Sequence, residues 1–411
     1  MARIVFTTIG SLGDLYPMLP VAARLRQRGH DVMFAVPESL APEVRREGFA
    51  CSEIRMPELP GRGKSTSPEA TRAWIAERFP SVLQQAVIVL EAASSGAELI
   101  VTNQVQVAAA ITARKLGIKW VTLTVFPGFI PSGYTVPQPH WLPALPTPAG
   151  RAVNRLTWRL FELGLRYMAG STIEETARAH GLARDDQLLA PGALSPYLTL
   201  VLSSPVYSPR QPDWPAHIKV TGHSRFDEPH GWSDPAGLND FLKDKSNPPV
   251  LVIGSSAHER DAAAFFRSAA QALALTGRRG LLIGRGSDVD GDSARLRSWP
   301  YLPLSRVAGR CALVVHHAGI GTAITTIRNC RPAVAVPAIF DQWYNADRIK
   351  KLGVGRVLPW KELTVPRLAK EIEAVTSAPG YSERARELGA VIAAEDGAGA
   401  ASDEIESLLK S

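Results

Sequence analysis

Apolar residues in this chain recur in two alternating patterns. Short continuous runs such as RIVFTTIG, DVMFAV, AELIVTN and KWVTLTV punctuate the first half. Between them, apolar positions return at helical spacing, as in Met18, Val21, Ala22 and Leu25. Continuous runs fit strands buried on both faces, and the 3.6-residue period fits helices lying against them. Pro17 suits the first turn of one such helix and Gly29 its exit. The second half repeats the scheme with VLVIGSSAH, RGLLIGRG, CALVVHH and PAVAVP. Strands alternating with helices predict an α/β protein whose parallel sheets are covered on both faces.

The pattern breaks in two places. Between Phe126 and Gly150 it gives way to Pro127, Pro131, Pro137, Pro139, Pro143, Pro146 and Pro148, a loop long enough to imply a binding role. Residues 223–248 are rich in proline and polar side chains and read as a linker. The expected organisation is therefore two similarly built domains, residues 1–222 and 249–390, with a C-terminal helix over 391–411 placed to pack back on the first. Ligands in such sheets bind outside the carboxyl ends of the strands.

Composition narrows the function classes. A chain of 411 residues, 45% hydrophobic and 21% charged, has the make-up of a folded protein of two or three domains. Its net charge of +7 fits anionic small ligands or an anionic membrane surface. No basic run is dense enough for a nucleic-acid arm, so nucleic acid is not an expected partner. Cys51, Cys311 and Cys330 are too few and scattered for a disulfide framework or a metal cluster. No run of about 18 apolar residues exists and the N-terminus lacks the shape of a secretory signal, which together point to the cytoplasm. In RAVNRLTWRLFELGLRYMAG, the residues Arg151, Arg155, Arg159 and Arg166 share a helix face. That face reads either as solvated or as a peripheral contact with anionic lipid.

Two glycine-bearing turns carry the candidate chemistry. In VVHHAGIGT a strand ends at His316 and His317, Gly319 and Gly321 form a turn, and Thr322 opens a helix. Free amides at a helix start favour an anion, glycines let it approach the main chain, and a histidine can donate one more hydrogen bond. In TTIGSLGDLYP the turn instead ends in Asp14, just before a helix expected to begin near Leu15 or Tyr16. Asp14 reads either as the N-cap of that helix or as a general base. The helix-start amides would favour its charged form and weaken it as a base.

HHAGIGT, followed about twenty residues on by DQWYNADRIKKLGVG, resembles the nucleotide-sugar signature of the family-1 glycosyltransferases. TTIGSLGDLYPMLPVAARLRQRGHDV resembles the N-terminal signature of the bacterial branch acting on lipids, sterols and secondary metabolites, including rhamnosyltransferases. The resemblance spans nearly the whole chain. It implies the GT-B fold, two Rossmann-like doubly wound domains facing across a cleft, with the donor held mainly by the second. It also implies that His317, Thr322 and the amides near Gly319 and Gly321 hold a diphosphate, with Gly254, Ser255 and Ser256 facing it. Asp341 and Gln342 match the pair that binds sugar hydroxyls, and Tyr301, Leu302 and Pro303 match the lining of the base pocket, without the stacking tryptophan of plant members. Asp14 falls where the family places its base, and His317 would stabilise the leaving diphosphate. Where histidine-base members carry a partner aspartate, this chain has Asn103, which agrees with an aspartate base. Ser11 and Asn103 would position the acceptor, with His140 and Trp141 in the proline-rich loop.

The expected activity is thus inverting transfer of a hexose from a UDP- or dTDP-sugar to a hydroxyl of a hydrophobic or aromatic acceptor. No cofactor and no metal are expected, because a helix start and His317 can stabilise the leaving group. SDVDGDS, with Asp288, Asp290 and Asp292, imitates a metal-bridging Asp-x-Asp and half of a calcium loop, but Ser293 and Trp299 break the calcium pattern. Three rivals stand beside this reading. A nicotinamide oxidoreductase would need G-x-G-x-x-G where the chain has only Gly10 and Gly13. An epimerase or hydrolase could use the same scaffold, and an inactive homologue could bind a nucleotide sugar without turnover.

Overall fold

The computed structural model describes residues 1–56, 73–74, 77–137, 144–145, 147–183, 194–226, 228, 231–254, 262–289, 294–339 and 341–411. Among these, one compact unit comprises the residues up to 228 together with 396–411, and a second comprises 231–395.

The first unit is built on seven parallel strands: β1 (Arg3–Thr7), β2 (Asp31–Pro37), β3 (Ala50–Ile54), β4 (Leu99–Asn103), β5 (Lys119–Thr124), β6 (Leu198–Val201) and β7 (Ile218–Val220). Their order is β3-β2-β1-β4-β5-β6-β7. The strands β1, β4, β5 and β6 bury both faces, which is why their sequences run largely apolar without alternation. Ile4 and Phe6 pack with Phe34, the Met18–Gln27 helix and the Gly397–Lys410 helix. Val5 and Ile100 point the other way, onto the Phe79–Ala93 and Val107–Leu116 helices. Full burial of a side chain such as Phe6 stabilises by about 2–3 kcal/mol.

The second unit holds six parallel strands: β8 (Val250–Ile253), β9 (Gly280–Ile283), β10 (Leu296–Trp299), β11 (Val314–His316), β12 (Ala333–Ala335) and β13 (Gly355–Val357). Their order is β10-β9-β8-β11-β12-β13. Val252, Val315 and Val334 pack against Phe265, Phe266 and Ile372 on one face. Leu251, Leu281 and Val314 pack against Leu238, Phe241 and Leu302 on the other. The strand order reverses direction between β1 and β4 in one sheet and between β8 and β11 in the other. Those are the switch points where doubly wound sheets open a crevice for ligands.

Two boundaries differ from the sequence reading. Residues 231–248, read there as linker, belong to the second unit, because Leu238, Phe241 and Leu242 bury in its core. The last helix begins at Gly397 rather than near 391, and it lies in the first unit with Ala401 and Ile405 fully buried. Arg28 reaches it through Asp403 at 2.7 Å and Glu406 at 2.8 Å.

The Pro148–Ala179 helix fastens part of the proline-rich loop. Asn154, fully buried, donates to the carbonyls of Gly133 at 2.8 Å and Leu145 at 2.9 Å, and accepts from the Leu145 amide. The Trp158 indole donates to the Thr135 carbonyl, and Asp213 accepts from the Ser132 hydroxyl and the Gly133 amide. Leu156, Leu160, Leu163 and Tyr167 of the same helix are exposed. Arg155 lies 3.8 Å from Asp213, and the Arg151 guanidinium sits over the Tyr134 ring. No helix among the described residues is long and apolar enough to cross a membrane.

Candidate active site

In the first unit, the chain leaves β1 at Thr7 and turns at Gly10, whose φ of +121° lies in the region that favours glycine. Ser11 then caps a short helix, Leu12–Leu15, with its hydroxyl accepting from the Gly13 amide at 3.2 Å. Asp14 is the third residue of that helix and closes a capping box, its Oδ2 accepting from the Ser11 amide at 2.8 Å and from the Ser11 hydroxyl at 3.2 Å. This corrects the sequence reading of Asp14 as an N-cap. The helix starts earlier, at Leu12, and Ser11 takes the cap.

Gly10 and Asp14 are mutually constrained. A β-carbon on Gly10 would lie 2.3 Å from the Asp14 Oδ2. Asn103 closes the other side from the end of β4, donating to the Ile9 carbonyl at 2.9 Å and hydrogen-bonding to Asp14. Burial raises the Asp14 carboxyl above the ordinary aspartate range, and the bonds from Ser11 and Asn103 only partly offset it. This desolvation outweighs the hydrogen bonds that favour the charged form, and no local pattern in the sequence announces it. A carboxylate pushed upward is a stronger base at neutral pH than a solvated one.

In the second unit, β11 delivers His316 into the core and His317 to its carboxyl end. His316 is fully buried, and its Nδ1 accepts the Ala318 amide at 3.0 Å. Burial, with His317 nearby, lowers its pKa to about 3, so it is neutral. His316 is therefore a structural residue that shapes the turn. Ala318 adopts φ +64°, uncommon for a residue with a side chain, as the chain swings toward the next helix. That helix runs Ile320–Arg328 with Gly319 as N-cap, so it opens two residues before the expected Thr322. A β-carbon on Gly319 would lie 2.6 Å from the His317 Nε2, whereas one on Gly321 would meet nothing within 4 Å. Gly319 thus makes room for the imidazole, and Gly321 leaves the helix start open. Partly exposed His317 beside amides at a helix start is an arrangement suited to an anion.

The other expected donor residues divide. Gly254 follows β8, but its smallness is required by the Phe266 ring, which a β-carbon would approach to 2.8 Å. Ser255 and Ser256 lie outside the described residues, as do His140, Trp141, Asp290 and Asp292. Tyr301 is partly exposed, with its ring edge-on to Trp232 at 5.4 Å. Leu302 turns into the core and Pro303 caps the Leu304–Val307 helix. Leu302 is therefore not available to line a pocket; of this trio only Tyr301 keeps an exposed aromatic face. Trp232 escaped the sequence reading because it sat in an apparent linker.

Asp341 starts the Gln342–Lys351 helix, and its Oδ2 accepts from the Asn345 side-chain amide at 2.9 Å. Gln342 is almost wholly buried, with its Oε1 accepting the amides of Ala338 at 2.9 Å and Ile339 at 3.2 Å. That carbonyl is occupied within the protein. Among the described residues, no group of three or more His, Cys, Asp or Glu side chains could hold a metal ion.

Residues 4–123 match the glycosyltransferase family 28 N-terminal domain, and residues 285–407 match the erythromycin biosynthesis protein CIII-like C-terminal domain. Two doubly wound units carrying these motifs define a glycosyltransferase of the GT-B class. The O-mycaminosyltylonolide 6-deoxyallosyltransferase of Streptomyces fradiae is 30% identical over 418 residues, covering 96% of this chain and 94% of that enzyme. The chain belongs to the family-1 glycosyltransferases. The solved glycotransferase of kitacinnamycin superposes with a TM-score of 0.74 at 20% identity, covering 99% of both chains. The glycosyltransferase VinC, solved in complex with DTDP, gives a TM-score of 0.70 at 20% identity over the whole of both chains.

Proposed function

We propose that this glycosyltransferase moves a hexose from a UDP- or dTDP-sugar to a hydroxyl of a hydrophobic small-molecule acceptor, with inversion and without a metal. The observation that carries the reading is the partly buried Asp14, its carboxyl raised by desolvation and held at the switch point of the first sheet. In this mechanism the Asp14 carboxylate takes the proton of the acceptor hydroxyl. The acceptor oxygen then bonds to the anomeric carbon as that carbon's bond to the diphosphate oxygen breaks. His317 and the amides that open the Ile320–Arg328 helix receive the charge on the departing diphosphate.

The named relatives support this reading by their chemistry. One is named an O-mycaminosyltylonolide 6-deoxyallosyltransferase, and VinC was solved in complex with DTDP. The thymidine series is accordingly the first to test. Purified protein is incubated with dTDP- and UDP-hexoses and a panel of polyketide and aromatic alcohols, and products are read by mass and anomeric NMR coupling. Transfer with inverted anomeric configuration supports the reading. Nucleotide binding with neither transfer nor donor hydrolysis across the panel overturns it.

A further inference from the structure

We propose that Asn345 is a positioning residue that fixes the Asp341 carboxylate for recognition of the donor sugar. The proposal rests on the reading above, in which Asp341 meets sugar hydroxyls, and it adds the residue that sets Asp341 in place.

Asp341 stands at the N-cap of a ten-residue helix, where an aspartate ordinarily turns its carboxylate back onto the first amides. Here it does not. Its backbone is already helical, with φ −63° and ψ −14°, and its side chain makes no capping hydrogen bond. The carboxylate is held instead by the Asn345 Nδ2 at 2.9 Å, one helical turn further on. Asn345 has no exposed surface at all, so its amide is fixed by the packing around it. The local stabilisation of a cap has been given up for a carboxylate pinned from the protein side.

The neighbouring side chains are committed elsewhere. Gln342 bonds the Ala338 and Ile339 amides through its Oε1, and the Trp343 indole donates to the Ala338 carbonyl at 3.2 Å. Gln342 thus holds Ala338 and Ile339, and Trp343 holds Ala338. A carboxylate can accept about four hydrogen bonds. With Asn345 bonded to one oxygen, Asp341 stays an acceptor in a fixed orientation, which is what a set of sugar hydroxyl donors requires. Losing that bond removes a contact that orients the carboxylate. A binding group left out of register costs more than the bond itself.

The test separates the sugar from the nucleotide. Asn345→Leu removes the donor while keeping apolar bulk at a buried position, and Asn345→Ser replaces it if leucine does not fold. Affinity for dTDP alone is measured by calorimetry, and kcat and KM for dTDP-glucose by transfer or hydrolysis; UDP and UDP-glucose are used if calorimetry selects uridine. The expected result is a fall of about tenfold in kcat/KM for the nucleotide sugar, with the dTDP dissociation constant within twofold of the parent. Asp341→Asn should lower kcat/KM at least as much, and the double variant should be no worse than Asp341→Asn. A parallel loss of dTDP affinity makes Asn345 merely structural and overturns the proposal. So does an Asn345 variant with unchanged kcat/KM when Asp341→Asn is impaired. If Asp341→Asn itself leaves kcat/KM intact, the sugar-binding reading of Asp341 fails and the proposal fails with it.

Discussion

The carboxylate of Asp14 occupies the space that a side chain on Gly10 would need, with its Oδ2 2.3 Å from where that β-carbon would sit. A glycine in the turn therefore does not mark a phosphate cradle here. It marks the place where an acid folds back over the main chain at the end of β1. Gly10→Ala must both leave a φ of +121° and displace Asp14. It is expected to cost about 1–3 kcal/mol of stability and to lower kcat for transfer by at least tenfold while dTDP or UDP affinity is kept. Thermal unfolding and calorimetry read the two effects separately.

Because burial raises the native pKa of Asp14, the acid limb of kcat/KM should lie above the ordinary aspartate value of about 3.9. Asn103 favours the charged form, so Asn103→Leu should move that limb to higher pH, and Asp14→Asn should abolish transfer with nucleotide affinity unchanged. The stability consequence has the opposite sign to a salt-bridged acid. The native state holds this proton more tightly than the unfolded chain. The stability it contributes is present at acid pH and is lost as pH rises through the native value. Asp14→Asn keeps an acceptor for the Ser11 amide and removes a desolvated charge, so it should be no less stable than the parent at pH 7. A marked drop in its melting temperature would assign Asp14 to the helix cap alone.

His317 and Gly319 should behave as one unit. His317→Ala is expected to weaken binding of the nucleoside diphosphate by about 1.5–3 kcal/mol, roughly 10- to 150-fold. Gly319→Ala pushes the imidazole away and should produce much of the same loss. In the double variant the losses should fall short of their sum, as residues in contact do. Additive losses would separate the two roles.

Transfer should be insensitive to chelators, because the stabilisation of the leaving group is assigned to amides and His317. Restoration of a chelator-lowered rate by Mg²⁺ or Mn²⁺ would return attention to SDVDGDS.

Ile405, fully buried in the last helix, joins Ala398 and Ala401 in the core of the first unit. Ile405→Ala should destabilise by about 2–5 kcal/mol. Calorimetry should show the loss in the first unit, with the dTDP or UDP dissociation constant unchanged.

Much of this protein is determined by its sequence alone. The short uninterrupted apolar runs, bounded by turn residues, fit strands covered on both faces, and the intervening 3.6-residue spacing supplies the covers. The chemistry-bearing turns follow directly from strand ends, so Asp14, Asn103, Gly254 and His317 could be placed at the carboxyl ends of β1, β4, β8 and β11 by reading along the chain. Contacts between residues distant in sequence, and the direction of each side chain, were decided by the tertiary structure. Leu302 sits in a motif expected to line a pocket, yet the packing of β8, β9 and β11 draws it inward. Gln342 sits in a motif expected to bind sugar hydroxyls, yet its carbonyl meets two backbone amides that no local pattern announces. The balance at Asp14 was equally invisible. Its hydrogen bonds to Ser11 are local and legible, whereas the desolvation that outweighs them depends on every neighbour the fold brings close. Periodicity is a property of consecutive residues and survives in the sequence; burial is a property of the assembled core and exists only once the chain has folded.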